Sequence, residues 1–102
     1  MKRTAKVSLH WLLSSTEGQF RSGHKFSRPA RFDHQGEDWM HQDAWSLTII
    51  TEGVPDAEGC QSATATFLVP EAPQDWLSVG KRFTLFESEA LAEGVVEQVL
   101  PD

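Results

Sequence analysis

Residues 6–14 read Lys-Val-Ser-Leu-His-Trp-Leu-Leu-Ser, and this stretch decides the class of fold. Apolar side chains stand at every second position of the stretch: Val7, Leu9, Trp11 and Leu13. An alternation of period two is typical of a β-strand with one buried face. The segment is therefore predicted to be a strand, and the polar residues 14–18 that follow it are predicted to be a turn.

Five further strands are predicted along the chain, at residues 26–32, 45–51, 62–69, 82–87 and 91–100. β-branched and aromatic residues, which favour strands, are frequent in these segments. The segment 26–32 contains Pro29, which has no N–H to donate to a neighbouring strand. An edge strand or an irregular extended segment is therefore predicted there. Residues 74–80 are predicted to form a single turn that places Trp76 or Leu77 against the core.

The end of the chain allows two interpretations. Glutamate and alanine between residues 87 and 99 would suit a helix. Val95, Val96 and Val99 favour a strand instead, and so does Gly94 in the middle of the segment. A glycine inside a strand indicates a bulge or a close approach of another group to the backbone.

Six short strands separated by turn signals predict an all-β fold, as a small antiparallel barrel or a sandwich. The chain has 102 residues, of which 39% are hydrophobic and 24% charged, which are the values of one ordinary globular domain. Residues 1–5 are predicted to be a short disordered basic segment before that domain. No apolar run approaches the 18 residues of a membrane span, and no leader peptide is apparent. No membrane association and a cytoplasmic location are therefore expected.

The order of these segments resembles one known family. The resemblance rests on residues 67–73, 79–85 and 92–100, which read Phe-Leu-Val-Pro-Glu-Ala-Pro, Val-Gly-Lys-Arg-Phe-Thr-Leu and Ala-Glu-Gly-Val-Val-Glu-Gln-Val-Leu. The chain is similar there, and in Arg28-Pro29 followed by Phe32, to the C-terminal third β-barrel domain of translation elongation factor Tu. This resemblance implies a six-stranded antiparallel Greek-key β-barrel.

The chain departs from that family in ways that bear on function. It has no GTP-binding domain, no second barrel and no Gly-x-x-x-x-Gly-Lys-Ser/Thr loop to bind a nucleotide phosphate. Ser27 stands where the family favours tyrosine, and residues 85–88 lack the arginine and glycine of the family pattern. GTPase activity is therefore excluded, and a stand-alone module is expected.

Charge is unevenly distributed along the chain. Residues 1–32 hold seven of the nine Lys and Arg and one acid, whereas residues 33–102 hold two bases and fourteen acids. This segregation predicts either a two-sided surface or halves that neutralise each other in the fold. The net charge of −6 disfavours nonspecific nucleic-acid binding.

Two groups of residues are candidate contacts. The first is a basic segment in which phenylalanines are interleaved with Arg21, Lys25, Arg28 and Arg31. Such groups could bind phosphates and stack on unpaired bases of RNA, and the resemblance places this region near the tRNA-facing side of the barrel. The alternative is a solvated loop anchored by its phenylalanines.

The second candidate contact is the pair Trp39 and Met40, because protein interfaces favour both residue types. Equally, Trp39 could fold back onto the barrel. His34 and His41 are candidate metal ligands, with acids nearby in sequence at Asp33, Asp38 and Asp43. The spacing of the two histidines matches no ligand motif, so a flexible acidic loop is predicted instead.

Catalysis has little support in the sequence. The single cysteine, Cys60, excludes a disulfide framework and any multi-cysteine metal site, and no sequence-near base activates its thiol. No Gly-x-Ser-x-Gly elbow is present. The sequence therefore predicts a non-enzymatic binding module without cofactor or metal. Its expected partner is an unidentified protein, in an immunity or regulatory role. The alternative is a tRNA- or ribosome-associated module, and the oligomeric state stays open.

Overall fold

Six strands form a closed antiparallel barrel in the computed structural model, which describes residues 2–12, 23–36, 39, 44–87 and 89–101. The strands are β1 (Thr4–Trp11), β2 (Lys25–Phe32), β3 (Trp45–Glu52), β4 (Cys60–Phe67), β5 (Arg82–Phe86) and β6 (Ala90–Val99). A short 3-10 helix, Gln74–Trp76, precedes β5. The all-β prediction is confirmed. In the described part of the chain, no helix has the length and apolar character needed to cross a membrane.

The strands run around the barrel in the order β1-β4-β3-β2-β5-β6, and β6 then pairs with β1. β2, β3 and β4 are neighbours in sequence and in space, and so are β5 and β6. β1 and β2 are not neighbours, and neither are β4 and β5; two strands separate the members of each pair around the barrel. Of the two architectures predicted, the structure is the barrel, because the pairing between β1 and β6 closes the sheet.

The N-terminal boundary differs from the prediction. β1 begins at Thr4, so the prediction of disorder for residues 1–5 is wrong for Thr4 and Ala5. Ala5 is fully buried, and the hydroxyl of Thr4 lies 3.0 Å from that of Thr66 on β4. Ala5 continues the two-residue spacing of Val7, but a single methyl group gives too weak a signal to extend the strand from sequence alone.

β2 is a barrel strand rather than an edge or irregular segment. It pairs with β3 from Lys25 to Ala30 and with β5 from Ala30 to Phe32. Pro29 lies just before the pairing with β5 begins, at a point where β3 is the paired neighbour. A residue without an N–H is tolerated at such a place because the ladder to the second neighbour has not yet formed.

The end of the chain is a strand, β6, and the helical alternative is wrong. Gly94 pairs with Phe83 on β5, and the Phe83 ring occupies the space where a side chain would stand. A Cβ built on Gly94 would lie 2.3 Å from Cζ of Phe83. The predicted close approach is therefore present, and the approaching group is an aromatic ring.

The core fills the barrel interior with aromatic and small side chains. The Phe32 ring lies 5.9 Å from that of Phe67 and 5.7 Å from that of Phe83. The turn at residues 74–77 covers one end, as predicted. Its Leu77 is fully buried, and the Trp76 ring meets that of Phe32 edge-on at 5.4 Å. The strands therefore have one inward face, and their outward side chains are available for contacts.

Candidate functional site

The structure separates the basic residues of the predicted RNA-binding segment. Lys25 is exposed on the outer face of β2, Arg28 has the opposite orientation because it lies three residues on, and Arg31 faces outward again. Side chains alternate between the two faces of a strand, so Lys25, Arg28 and Arg31 do not form one surface. Arg21 lies outside the described residues.

Arg28 is bound within the barrel. Its Nη1 donates to the carbonyl of Ser27 at 2.8 Å, and its Nη2 lies 3.3 Å from the carboxylate of Glu87. The guanidinium stands 5.6 Å from the centre of the Phe26 ring, and its Nε is buried without a hydrogen-bond partner. The Arg28 guanidinium thus contacts Ser27, Phe26 and Glu87 of its own chain, and the side chain is 27% exposed.

Arg31 and Trp39 meet on the outside of β5, at Phe86. The Arg31 guanidinium lies 5.5 Å from the centre of the Phe86 ring, and the Trp39 ring lies 5.2 Å from it. Trp39 is only 7% exposed, so it folds back onto the barrel rather than standing free as a contact. Arg31, a predicted RNA contact, and Trp39, a predicted protein contact, therefore both pack against Phe86. Met40 lies outside the described residues.

A row of hydroxyl groups crosses four strands on the outside of the barrel. Cross-strand register aligns one residue from each of β1, β4, β3 and β2: Thr4, Thr66, Thr48 and Ser27. The hydroxyls form two pairs, with Thr4 and Thr66 at 3.0 Å and Ser27 and Thr48 at 2.9 Å. In each pair one hydroxyl donates to the other, so one proton per pair remains to be donated outward.

The hydroxyl row lies in a groove of about 390 Å³. We call this surface the hydroxyl face, defined by the row and by the residues that surround it: Lys2, Lys25, Ile50, Thr64 and Leu68. Ile50 is 39% exposed and Leu68 50% exposed. Lys2 and Lys25 stand at opposite corners, because Lys25 is level with Ile50 while Nζ of Lys2 donates to the carbonyl of Leu68 at 3.1 Å.

The hydroxyl face is poor in negative charge, although the chain as a whole is acidic. Among the outward-facing residues of β1 to β4, within the described strands, Glu52 is the one acid. Its carboxylate lies 3.5 Å from Nζ of Lys6. The face therefore combines donated protons, two apolar side chains and positive charge.

A second groove, of about 450 Å³, lies outside β4, β1, β6 and β5. In its wall His10 is the cross-strand neighbour of Cys60 on one side and of Glu93 on the other. Burial raises the pKa of the Cys60 thiol, and the nearby carboxylates of Asp56 and Glu58 raise it further. A thiol with a raised pKa stays protonated and is a poor nucleophile, so the Cys60 thiol is not activated for covalent catalysis.

The candidate metal ligands that lie within the described residues do not form a cluster. His34 packs against aromatic rings, edge-on to Trp76 at 4.4 Å and 6.1 Å from Phe32. Within the ranges that the structure describes, no three His, Cys, Asp or Glu side chains are grouped to hold a metal ion. His41 lies outside those ranges, as do Asp38 and Asp43.

Comparison of the chain with models of known protein families, with curated proteins and with solved structures finds no match. The similarity to the third domain of elongation factor Tu therefore rests on the residue pattern alone. The hydroxyl face was missed from sequence. Its one local signal is the alternation of Ser62, Thr64 and Thr66 with buried alanines on β4, but the alignment of four strands depends on register.

Proposed function

We propose that this chain is a non-catalytic protein-interaction module, and that the hydroxyl face is the surface that it presents to its partner. The observation that carries the proposal is the exposure of Ile50 and Leu68 in a groove lined by paired hydroxyls. A protein interface typically buries exposed apolar side chains at its centre and has polar groups around them. Ile50 and Leu68, beside hydrogen-bonded hydroxyls, fit this arrangement. An immunity or regulatory role in the cytoplasm is the setting we propose for such a module.

We further propose that the barrel follows the Greek-key path of the third domain of elongation factor Tu. Support comes from the strand order, because β2, β3 and β4 are successive neighbours and β1 lies beside β4. Fold alone does not define a partner, since one architecture serves many functions. The functional proposal therefore depends on the face and not on this likeness.

A capture experiment with matched variants tests the interaction surface. Ile50→Asp places a charge in the groove, whereas Val79→Asp makes the same change at a site that is 68% exposed and outside the hydroxyl face. We expect the wild type and Val79→Asp to recover a common protein from a cell lysate, and Ile50→Asp to lose it. The recovered protein is then purified and its binding is measured directly. If no protein follows this pattern, the hydroxyl face is not the interaction surface.

An RNA-associated module is the second candidate. Lys6 on β1 and Lys25 on β2 project outward, Lys2 lies just before β1, and hydroxyl and lysine side chains are common donors to phosphate oxygens. A gel-shift titration against tRNA at increasing salt tests it. Binding that falls steeply with salt, and that Lys25→Glu weakens, would support this function. The absence of binding at low salt would exclude it.

A further inference from the structure

We infer that the hydroxyl face binds an acidic segment of a partner protein, with two carboxylates that are three residues apart in a polyproline II stretch. This inference rests on the proposed function and adds the chemistry of the partner. It follows from the spacing of the hydroxyl pairs, from the charge around them and from the apolar side chains between the lysines.

The spacing of the hydroxyl pairs sets the spacing of the carboxylates. One pair, Thr4 and Thr66, lies between β1 and β4, and the other, Ser27 and Thr48, lies between β2 and β3. Neighbouring strands are about 4.8 Å apart, so the centres of the pairs, two strands apart, are separated by about 10 Å. A polyproline II segment advances about 3.1 Å per residue and has three residues per turn, so side chains at positions i and i+3 lie on one side and span about the same length.

The charge around the row favours a negative ligand. Each hydroxyl pair has one proton to donate, and a carboxylate accepts such bonds more strongly than a neutral group does. Lys2 and Lys25 stand at opposite corners of the groove, while the single acid of these strands, Glu52, is paired with Lys6. An acidic segment would therefore meet hydroxyl donors in the middle and ammonium groups at the edges.

The apolar residues favour a protein over a nucleic acid. Ile50 and Leu68 can pack against an aliphatic side chain between the two carboxylates. Binding of single-stranded nucleic acid uses aromatic platforms on which bases stack. The residues that line this groove include no aromatic side chain among those the structure describes. A phosphodiester chain would thus leave the bases without a platform and the apolar side chains without a partner.

An NMR titration with short probes tests this inference. The first probe is the peptide acetyl-Gly-Glu-Leu-Gly-Glu-Gly-amide, the second is the same peptide with both glutamates replaced by glutamine, and the third is a ten-nucleotide uridylate. We expect the acidic peptide to shift the amide signals of Ser27, Thr48 and Thr66. We expect the glutamine peptide to bind about fivefold more weakly, because exposed charge pairs contribute modestly.

Two variants with matched charge changes complete the test. The double change Lys2→Glu with Lys25→Glu should weaken binding of the acidic peptide about fivefold. The double change Lys81→Glu with Arg82→Glu, at two exposed sites outside the face, should leave it unchanged. Tighter binding of the oligonucleotide, equal binding of the glutamine peptide or shifts mapped elsewhere would overturn the inference. If Ile50→Asp loses a captured protein while the lysine changes have no effect, the interaction surface stands and the acidic partner does not.

Discussion

Replacement of Gly94 by alanine tests how tightly the barrel interior is packed. The new Cβ would lie 2.3, 2.6 and 2.9 Å from three ring carbons of Phe83, whereas carbon atoms pack best at about 3.5–4.0 Å. The ring has no free space to enter, because Phe83 is 1% exposed and its centre lies 5.7 Å from that of Phe32. Either the ring or strand β6 must therefore shift.

The expected cost is that of an overpacked core, about 1–3 kcal/mol in the free energy of unfolding. In a domain of this size each kcal/mol lowers the melting temperature by about 4–8 °C. Alanine also restricts the unfolded chain, which by itself stabilises a protein by about 0.4–1 kcal/mol. Gly36→Ala measures that gain alone, because no atom lies within 4 Å of a Cβ built there.

Urea denaturation followed by circular dichroism gives the free energies for Gly94→Ala, Phe83→Leu and the double variant. We expect Gly94→Ala to be destabilising in the wild-type background and to cost about 1 kcal/mol less when Phe83 is leucine, because the two positions interact directly. Equal costs in both backgrounds would show that the ring is not the obstacle. A Gly94→Ala variant as stable as Gly36→Ala would refute the packing argument altogether.

Three other predictions concern single polar groups. Gln61→Leu removes the bond that Nε1 of Trp11 donates at 2.9 Å, and we expect a loss of about 1–3 kcal/mol in urea denaturation; an unchanged midpoint would contradict this. Asp56 accepts bonds from the N–H groups of Cys60 and Glu58, which lower its pKa below 3.8, so its contribution to stability is present above that pH and is lost as the pH falls below it. Asp56→Asn should therefore flatten the acid limb of a stability–pH profile, and an unaltered limb would count against the assignment. The raised pKa of Cys60 should make its alkylation by iodoacetamide at pH 8 slower than that of free cysteine, and Asp56→Asn should speed it; a thiol as fast as free cysteine would disprove the shift.

The strands could be predicted where bulky apolar residues alternate, and their ends could not. The alternation of Val7, Leu9 and Trp11 places β1 because each of these side chains is large enough to drive burial. β4 begins at Cys60, two residues before the predicted start, because the polar side chain of Gln61 is buried by its hydrogen bond with Trp11. A hydrophobicity pattern gives no sign of a polar residue that is buried together with its hydrogen-bond partner.

The arrangement of the candidate site residues could not be predicted for a related reason. Lys25, Arg28 and Arg31 are close in sequence, but the direction of each side chain depends on its parity in β2, and Arg28 has the opposite parity. The indole of Trp39 is covered because it packs against Phe86 on β5, a long-range contact that no local pattern encodes. The sequence shows that the segment is basic. Which face of β2 each basic side chain occupies depends on the alternation of the strand.

The hydroxyl face is the feature that is hardest to predict from the sequence. Thr4, Ser27, Thr48 and Thr66 are each ordinary polar positions of a strand, and they are separated by up to 62 residues. They become one row only through the register of three strand pairings. A slip of one residue in any of these pairings would break the row by turning side chains to the other side of the sheet.

The pairing of β1 with β6 has a consequence for how the protein is made. β1 is made before the other five strands of the barrel, yet both of its neighbours, β4 and β6, follow much later. Contacts over such sequence distances are slow to form because of the entropy lost in closing long loops. Until β6 is complete, the growing chain carries open strand edges that can join other chains, so nascent molecules are the form most exposed to aggregation and in most need of chaperones.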